Sequence, residues 1–202
     1  MKKVLVLGGT GFVGRHLCEK LQREGWSITV PTRRMASAVT VSHLPNVRVV
    51  QADVHDEASL LRLVAGHEAV VNLVAILHGS ETAFERVHVS ALGASRDGPS
   101  MYQRSKARGE DVLRAADLDL TILRPSVIFG AGDRFLNPFA RLQSVFPVVP
   151  LAGARTRFQP VWVEDVAEAV VAGLREDAVG RRSIGQTIEC AGPDIFTLGE
   201  LV

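Results

Sequence analysis

Tyr102 and Lys106 stand four residues apart in "PSMYQRSKARGE", and Tyr102 is the only tyrosine of the chain. On a helix that spacing puts both side chains on one face, one above the other. An ammonium beside a phenol favours phenolate and lowers a pKa that starts near 10. Tyr102 would then be a usable acid or base around neutrality, with Lys106 as its electrostatic partner. Taken alone, the pair is equally an ordinary helix surface.

The second chemical pattern is "VLVLGGTGFVGRHL", residues 4–17, in which aliphatic residues run into glycines. Gly8, Gly11 and Gly14 read as GxxGxxG, and Gly9, Gly11 and Gly14 as GxGxxG. An apolar strand before the glycines and an amphipathic helix after them are the context in which such a loop cradles a pyrophosphate. Each demand is physical: a tight turn out of the strand, backbone without Cβ where phosphate approaches, and close packing of helix on strand. The helix N-terminus adds free N–H groups and a partial positive charge.

The end of the next strand discriminates between dinucleotides. Sites selective for NAD carry an acidic residue there to bond the ribose, whereas an arginine accommodates the 2′-phosphate of NADP. This chain reads "ITVPTRRM", with no carboxylate between Ser27 and Ala52. Arg33 and Arg34 can pair with a phosphate through guanidinium forks, or stand as solvated surface arginines. The pattern favours NADP(H) over NAD(H). Asp53, in "VVQADV", could bond an adenine amino group or simply cap a turn with His55 and Asp56.

These groups need a scaffold. Segments rich in Val, Ile and Leu alternate with segments of helical period, which predicts an α/β fold: a three-layer, doubly wound parallel sheet of the NAD(P)-binding Rossmann kind. Strands are expected at 3–7, 27–31, 47–51, 69–75, 119–123 and 186–190. Helices are expected at 12–24, stopped by Gly25; at about 57–65, capped by Asp56 and ended by Gly66; from Pro99 and Ser100 to about Ala116; and from Glu164 or Asp165 to Leu174. The chain reads as one domain over 1–202, with 130–160 and 191–202 forming a small, incomplete substrate-side lobe. Between the strand at 69–75 and the helix near 101 lie about 25 residues, fewer than a βαβ unit needs. "ETAFERVHVSALGASRDGPS" has room for a short helix or a short strand, hardly both. The closing "TLGELV" has the capping-box spacing of Thr197 and Glu200, so a helix is announced just where the sequence stops, as in a piece of a longer protein.

Of 202 residues, 47% are hydrophobic and 22% charged, and the formal net charge is +1. That balance is globular and gives no field of one sign toward nucleic acid or an anionic membrane. Apolar runs such as 69–77 reach about half the roughly 20 residues of a membrane span. The Met-Lys-Lys start lacks the long apolar stretch of a signal peptide, so a cytoplasmic protein is expected. Cys18 and Cys190 read as buried small hydrophobes, and the six histidines form no metal-binding pair, so no metal is expected.

Together the motifs resemble the extended short-chain dehydrogenase/reductase superfamily, whose TGxxGxxG loop, aspartate after the third strand and YxxxK helix are here "GGTGFVG", "ADV" and "YQRSK". The later segments "LRPSVIFGAGDRFLNPF" and "FQPVWVEDVAEAV" are similar to its atypical branch, of the NAD-dependent epimerase/dehydratase type. That branch includes the NADPH-carrying accessory subunit of respiratory complex I and its bacterial relatives. The resemblance covers nearly the whole chain. It implies that Gly8, Thr10, Gly11, Phe12, Val13 and Gly14 line the pyrophosphate, that Arg33, with Arg34 beside it, meets the 2′-phosphate, and that Asp53 and Val54 meet the adenine. Leu73, Val74 and Ala75, ending the fourth strand, would border the ribose and nicotinamide. Tyr102 and Lys106 would hold the nicotinamide ribose as the catalytic pair, and Pro125, Ser126 and Val127 would flank the carboxamide.

Two departures from the superfamily stand out. The hydroxyl residue that polarises a substrate carbonyl aligns with Leu92, while Ser90 and Ser95 are offset from it. The superfamily also has a helix and a strand between the equivalents of "FERVHV" and "SALGA", which abut here, about 20 residues short. The resemblance therefore implies one of two functions. The first is an NADP(H)-dependent oxidoreductase or sugar-nucleotide epimerase/dehydratase acting on a small molecule through Tyr102 and Lys106. The second is a non-catalytic module that holds NADP(H) as a structural or redox-sensing ligand, peripheral on an assembly such as respiratory complex I.

Overall fold

The computed structural model describes residues 1–74, 85–116, 118–146 and 151–202. Its strands, in chain order, are β1 (Lys3–Leu7), β2 (Ser27–Thr32), β3 (Val47–Gln51), β4 (Ala69–Asn72), β5 (Glu85–Val89), β6 (Thr121–Pro125), β7 (Ile128–Phe129), β8 (Arg157–Phe158), β9 (Val161–Trp162), β10 (Thr187–Cys190) and β11 (Phe196–Thr197). Seven of them form one parallel sheet in the order β10-β6-β5-β4-β1-β2-β3. From β1 the chain winds outward through β2 and β3, then returns to lay β4 on the opposite flank. The strand order reverses between β1 and β4, and a crevice opens there at the carboxyl ends of the strands.

The helices are α1 (Phe12–Arg23), α2 (Glu57–Val64), α3 (Met101–Ala115), α4 (Leu136–Gln143), α5 (Val163–Leu174), α6 (Ala178–Ser183) and α7 (Leu198–Leu201), with a 3₁₀ turn at Met35–Thr40. Strand residues alternate between two apolar layers, as a sheet covered on both faces requires. On one face Val4, Val6, Ile28, Val30, Val71, Val87 and Leu123 meet Leu17, Cys18 and Leu21 of α1 and Val170, Val171 and Leu174 of α5. On the other, Leu5, Leu7 and Val70 meet Leu60 and Val64 of α2. Each fully buried aliphatic side chain contributes roughly 1.5–3 kcal/mol.

Local chemistry sets the boundaries. Asp56 accepts from the Ser59 N–H at 2.9 Å to start α2. Ser100 and Gln103 form a reciprocal capping box at α3, and Thr197 and Glu200 form another at α7. Strand β4 ends earlier than the apolar run 69–75 implied: the Asn72 side chain accepts from the Val74 N–H at 2.9 Å and turns the chain out of the sheet. Leu73 and Val74 thus follow the strand, and Ala75 lies outside the described residues. Cys18 is fully buried, whereas Cys190 is half-buried, at the end of an edge strand.

The described part of the short interval contains a strand, β5. Residues 85–89 lie between β4 and β6, where Val87, His88 and Val89 pair with Thr121, Ile122 and Leu123. Twelve residues separate Asn72 from Glu85, the least that a parallel crossover needs. Among the described residues no helix lies between β4 and β5. Beyond β6 the chain leaves the sheet. β7 pairs with β9 and β8 with β11 in two small ribbons beside the sheet's carboxyl edge, and Phe158 packs on Phe135 with ring centroids 5.2 Å apart.

Candidate functional site

The glycine loop sits where β1 hands over to α1. Gly8 takes φ +83°, a left-handed conformation that other residues adopt only under strain. A Cβ on Gly14 would lie 2.4 Å from the Gly8 carbonyl oxygen and 2.5 Å from the Gly9 Cα, so only glycine lets α1 begin against the loop. The helix opens with no side-chain cap and no acidic residue in its first turn. Its N-terminal N–H groups and partial positive charge are therefore not taken up by a neighbouring carboxylate, and an anion fits there. Residues and geometry suit a dinucleotide pyrophosphate.

Two concavities meet at this loop. The larger, about 950 Å³, is lined by Gly8, Gly11, Phe12, Val13, Gly14 and Leu73 on one side and by Tyr102, Lys106, Pro125, Ser126 and Val127 on the other. The smaller, about 180 Å³, gathers Gly8, Thr10, Arg33, Arg34, Val54 and Val74. Gly8 lines both, so they form two arms of one groove over the switch point. Residues that the sequence separates by more than a hundred positions come together in it. Asp53 lines neither arm; its Oδ1 accepts from the His55 N–H at 3.0 Å, a turn-forming bond.

Lys106 is buried, and its ammonium donates to the Val89 carbonyl at 3.1 Å. Burial pulls its pKa down to about 8, against which the Glu110 carboxylate acts to raise it. Tyr102 is 56% exposed at the rim. Its ring centroid is 5.9 Å from the Lys106 ammonium. The four-residue step to Lys106 predicts a lowered phenol pKa; in the folded chain, partial burial against the cleft wall raises it. The ammonium lies over the ring and bonds a carbonyl of β5, so stabilisation of phenolate does not dominate.

Ser90 is buried and reaches the floor of the larger arm, but its hydroxyl donates to Glu110. Leu92 lines the cleft at the position aligned with the superfamily's hydroxyl residue. Ser95 is exposed and accepts from the Asp97 N–H at 3.3 Å. No serine hydroxyl is thus free at the Leu92 position.

Two further groups that the sequence motifs do not single out belong to the site. Glu110, fully buried, stands four residues after Lys106, and the same helical period that linked Tyr102 to Lys106 extends to it. Arg157, Phe158, Gln159 and Ile195 close the far wall of the larger arm. They come from β8 and the segment before β11, inside the stretches 130–160 and 191–202 expected to form the substrate-side lobe, although nothing in their local spacing singles out these four.

Residues 4–91 match the model of the NAD dependent epimerase/dehydratase family. Over those residues, a little under half of its length, the chain is similar to that family. It is 34% identical to NADH dehydrogenase (ubiquinone) 1 alpha subcomplex subunit 9, a mitochondrial protein of Arabidopsis thaliana, over 97% of this chain and 55% of that protein. It is 32% identical to the ceramide reductase of Caulobacter vibrioides, over 88% of this chain and 62% of that one. The chain therefore spans little more than half the length of these relatives. The alignment with the Arabidopsis protein runs over 226 residues although this chain has 202, so the relative carries residues that have no counterpart here. A solved UDP-glucose 4-epimerase of Thermotoga maritima, 18% identical, shares the fold with a TM-score of 0.79 over 98% of this chain and 80% of its own. The family is one of nicotinamide-dinucleotide proteins. Among the described residues, no helix is long and apolar enough to cross a membrane, and no group of three His, Cys, Asp or Glu could hold a metal ion.

Proposed function

We propose that this chain is an NADP(H)-binding domain that holds its dinucleotide across the switch point, as a structural or redox-sensing module docked peripherally on a larger assembly. The observation that carries the reading is the two-armed groove centred on Gly8, with guanidinium groups at one end and Tyr102 and Lys106 at the other. Gly8, Thr10, Gly11, Phe12, Val13 and Gly14 would receive the pyrophosphate, Arg33 and Arg34 the 2′-phosphate, and Val54 the adenine. Asp53 would reach the adenine only through the carboxylate oxygen that does not accept from His55. Leu73 and Val74 would border the ribose, and Pro125, Ser126 and Val127 the carboxamide. Lys106 would hold the nicotinamide ribose from below and Tyr102 from the rim. The similarity to complex I subunits supports a docking role.

Turnover is the second reading, and the Tyr102–Lys106 pair with the similarity to a reductase supports it. Bound NADP(H) supplies a hydride donor or acceptor. The chain's own part would be proton transfer at the Tyr102 hydroxyl, with the Lys106 ammonium below it and the far wall of Arg157, Phe158, Gln159 and Ile195 receiving a small molecule. Leu92 offers no hydrogen bond to polarise a carbonyl, and Ser90 is committed to Glu110, which is why holding ranks above turnover.

Mass spectrometry of ligand released from purified protein tests the first reading: NADP(H) at near-stoichiometric occupancy is expected, and NAD(H) or no dinucleotide overturns it. Replacement of Arg33 by Ala should weaken NADP(H) at least tenfold while barely changing NAD(H). A substrate-dependent change in nicotinamide absorbance that Tyr102→Phe abolishes would move the conclusion to turnover.

A further inference from the structure

Tyr102, Lys106 and Glu110 follow one another at four-residue steps along α3 and share one helical face. Glu110 is fully buried, yet its carboxylate is surrounded by donors from three directions. Arg124 of β6 gives it two bonds, from Nε at 2.9 Å and Nη2 at 2.7 Å. Ser90, just past β5, donates its hydroxyl. Arg114, one turn further along α3, lies 2.9 Å away. Lys106, one turn nearer the cleft, bonds the carbonyl of Val89. Two consecutive residues at the end of β5 are thus gripped from the same helix, Val89 by Lys106 and Ser90 by Glu110.

We propose that Glu110 is the positioning residue of the Tyr102–Lys106 pair, fastening α3 to the ends of β5 and β6 from inside so that the Lys106 side chain is held on the Val89 carbonyl at the cleft floor. The inference rests on the reading that this pair serves the dinucleotide. The charged and titratable groups around Lys106 are Tyr102 and Glu110 from α3 and His88 from β5, with Arg124 of β6 and Arg114 turned to Glu110. Glu110 is the anion among them. Burial opposes its ionisation, but the hydrogen bonds from Arg124 and Ser90 and the charges of Arg124 and Arg114 hold its carboxyl below the usual range. It therefore remains charged wherever Lys106 titrates. Its hold on Ser90 also takes the buried hydroxyl at the cleft floor out of service as a carbonyl donor.

The chain has four lysines, Lys2, Lys3, Lys20 and Lys106, so a ¹³C NMR titration of the lysine Cε signals reads Lys106 directly in the ligand-free protein. The wild-type midpoint should lie near 8. Glu110→Gln should lower it by roughly one pH unit or more. Because Glu110→Gln leaves Arg124 buried without its partner, the double variant Glu110→Gln with Arg124→Met, which removes both charges, is titrated beside it. It should shift the midpoint in the same direction. A wild-type midpoint in a folded variant overturns the proposal. NADP(H) affinity is measured in parallel: a wild-type chain that binds none defeats the proposed function, while the Lys106 titration still judges Glu110.

Discussion

Lys106 is an ammonium kept out of water and held by one backbone carbonyl, an arrangement that a folded protein tolerates at a cost in stability unless a ligand repays it. Lys106→Met should accordingly weaken NADP(H) about tenfold or more by titration calorimetry while leaving the melting temperature unchanged or higher. His88 adds a pH dependence. Burial first, and then the Lys106 charge, push its pKa down to about 4, below the roughly 6.5 of an unfolded histidine. The unfolded chain therefore binds the extra proton between these values. The stability contributed is complete above about pH 6.5 and is lost as pH falls toward 4, amounting to about 3 kcal/mol. Glu110, whose folded pKa is depressed, adds a further loss below about pH 4.3. Urea denaturation at pH 7, 5.5 and 4.5 should show the first slope, and His88→Leu should flatten it.

At the scale of elements, α1 is held both at its start and along its length. Its start is pressed on the glycine loop, and its outer face is tied to α5 by ion pairs of Lys20 with Glu164 and Glu168, at 3.5 and 3.3 Å, and by the contact of His16 with Glu164. A methyl group at Gly14 collides with backbone, which cannot swing aside as a side chain can. Gly14→Ala should therefore cost about 2–3 kcal/mol and remove dinucleotide binding together, measured by denaturant midpoint and fluorescence titration. Element existence here was legible from pattern: the strands at 3–7 and 47–51 and the caps at Asp56, Ser100 and Thr197 follow from local chemistry. The strand at 85–89 was not, because "FERVHV" is short and fits a strand or a helix turn equally. Only its neighbours β4 and β6 decide.

For the whole molecule, the groove spans the sheet from the arginines after β2 to the helix α3 beside β5 and β6, so a bound dinucleotide would bridge both halves of the fold. Ligand that binds only the folded state stabilises by mass action: at a hundredfold excess over Kd the gain is about 2.7 kcal/mol. For a chain of this length that is a rise in Tm of roughly 5–10 °C. Thermal denaturation should show this rise with NADP⁺ at concentrations where NAD⁺ produces a smaller one. Equal shifts with both would remove the role assigned to Arg33 and Arg34.

By itself the sequence determined the chemistry on offer and its local framing. The glycine loop, the paired arginines and the Tyr102–Lys106 step are each contained within a few residues, and short-range sterics and helical period constrain them. What only the tertiary structure decided is which of these groups share a cavity and in what electrostatic state. Arg157 and Ile195 face Tyr102 across a cleft because two small ribbons fold back onto the sheet. The phenol of Tyr102 is raised, and not lowered, because desolvation depends on every atom nearby. Ser90 belongs to Glu110 because β5 and α3 pack together. Periodicity ranks neighbours along one chain segment; dielectric environment and hydrogen-bond partners are set by segments that meet only after folding.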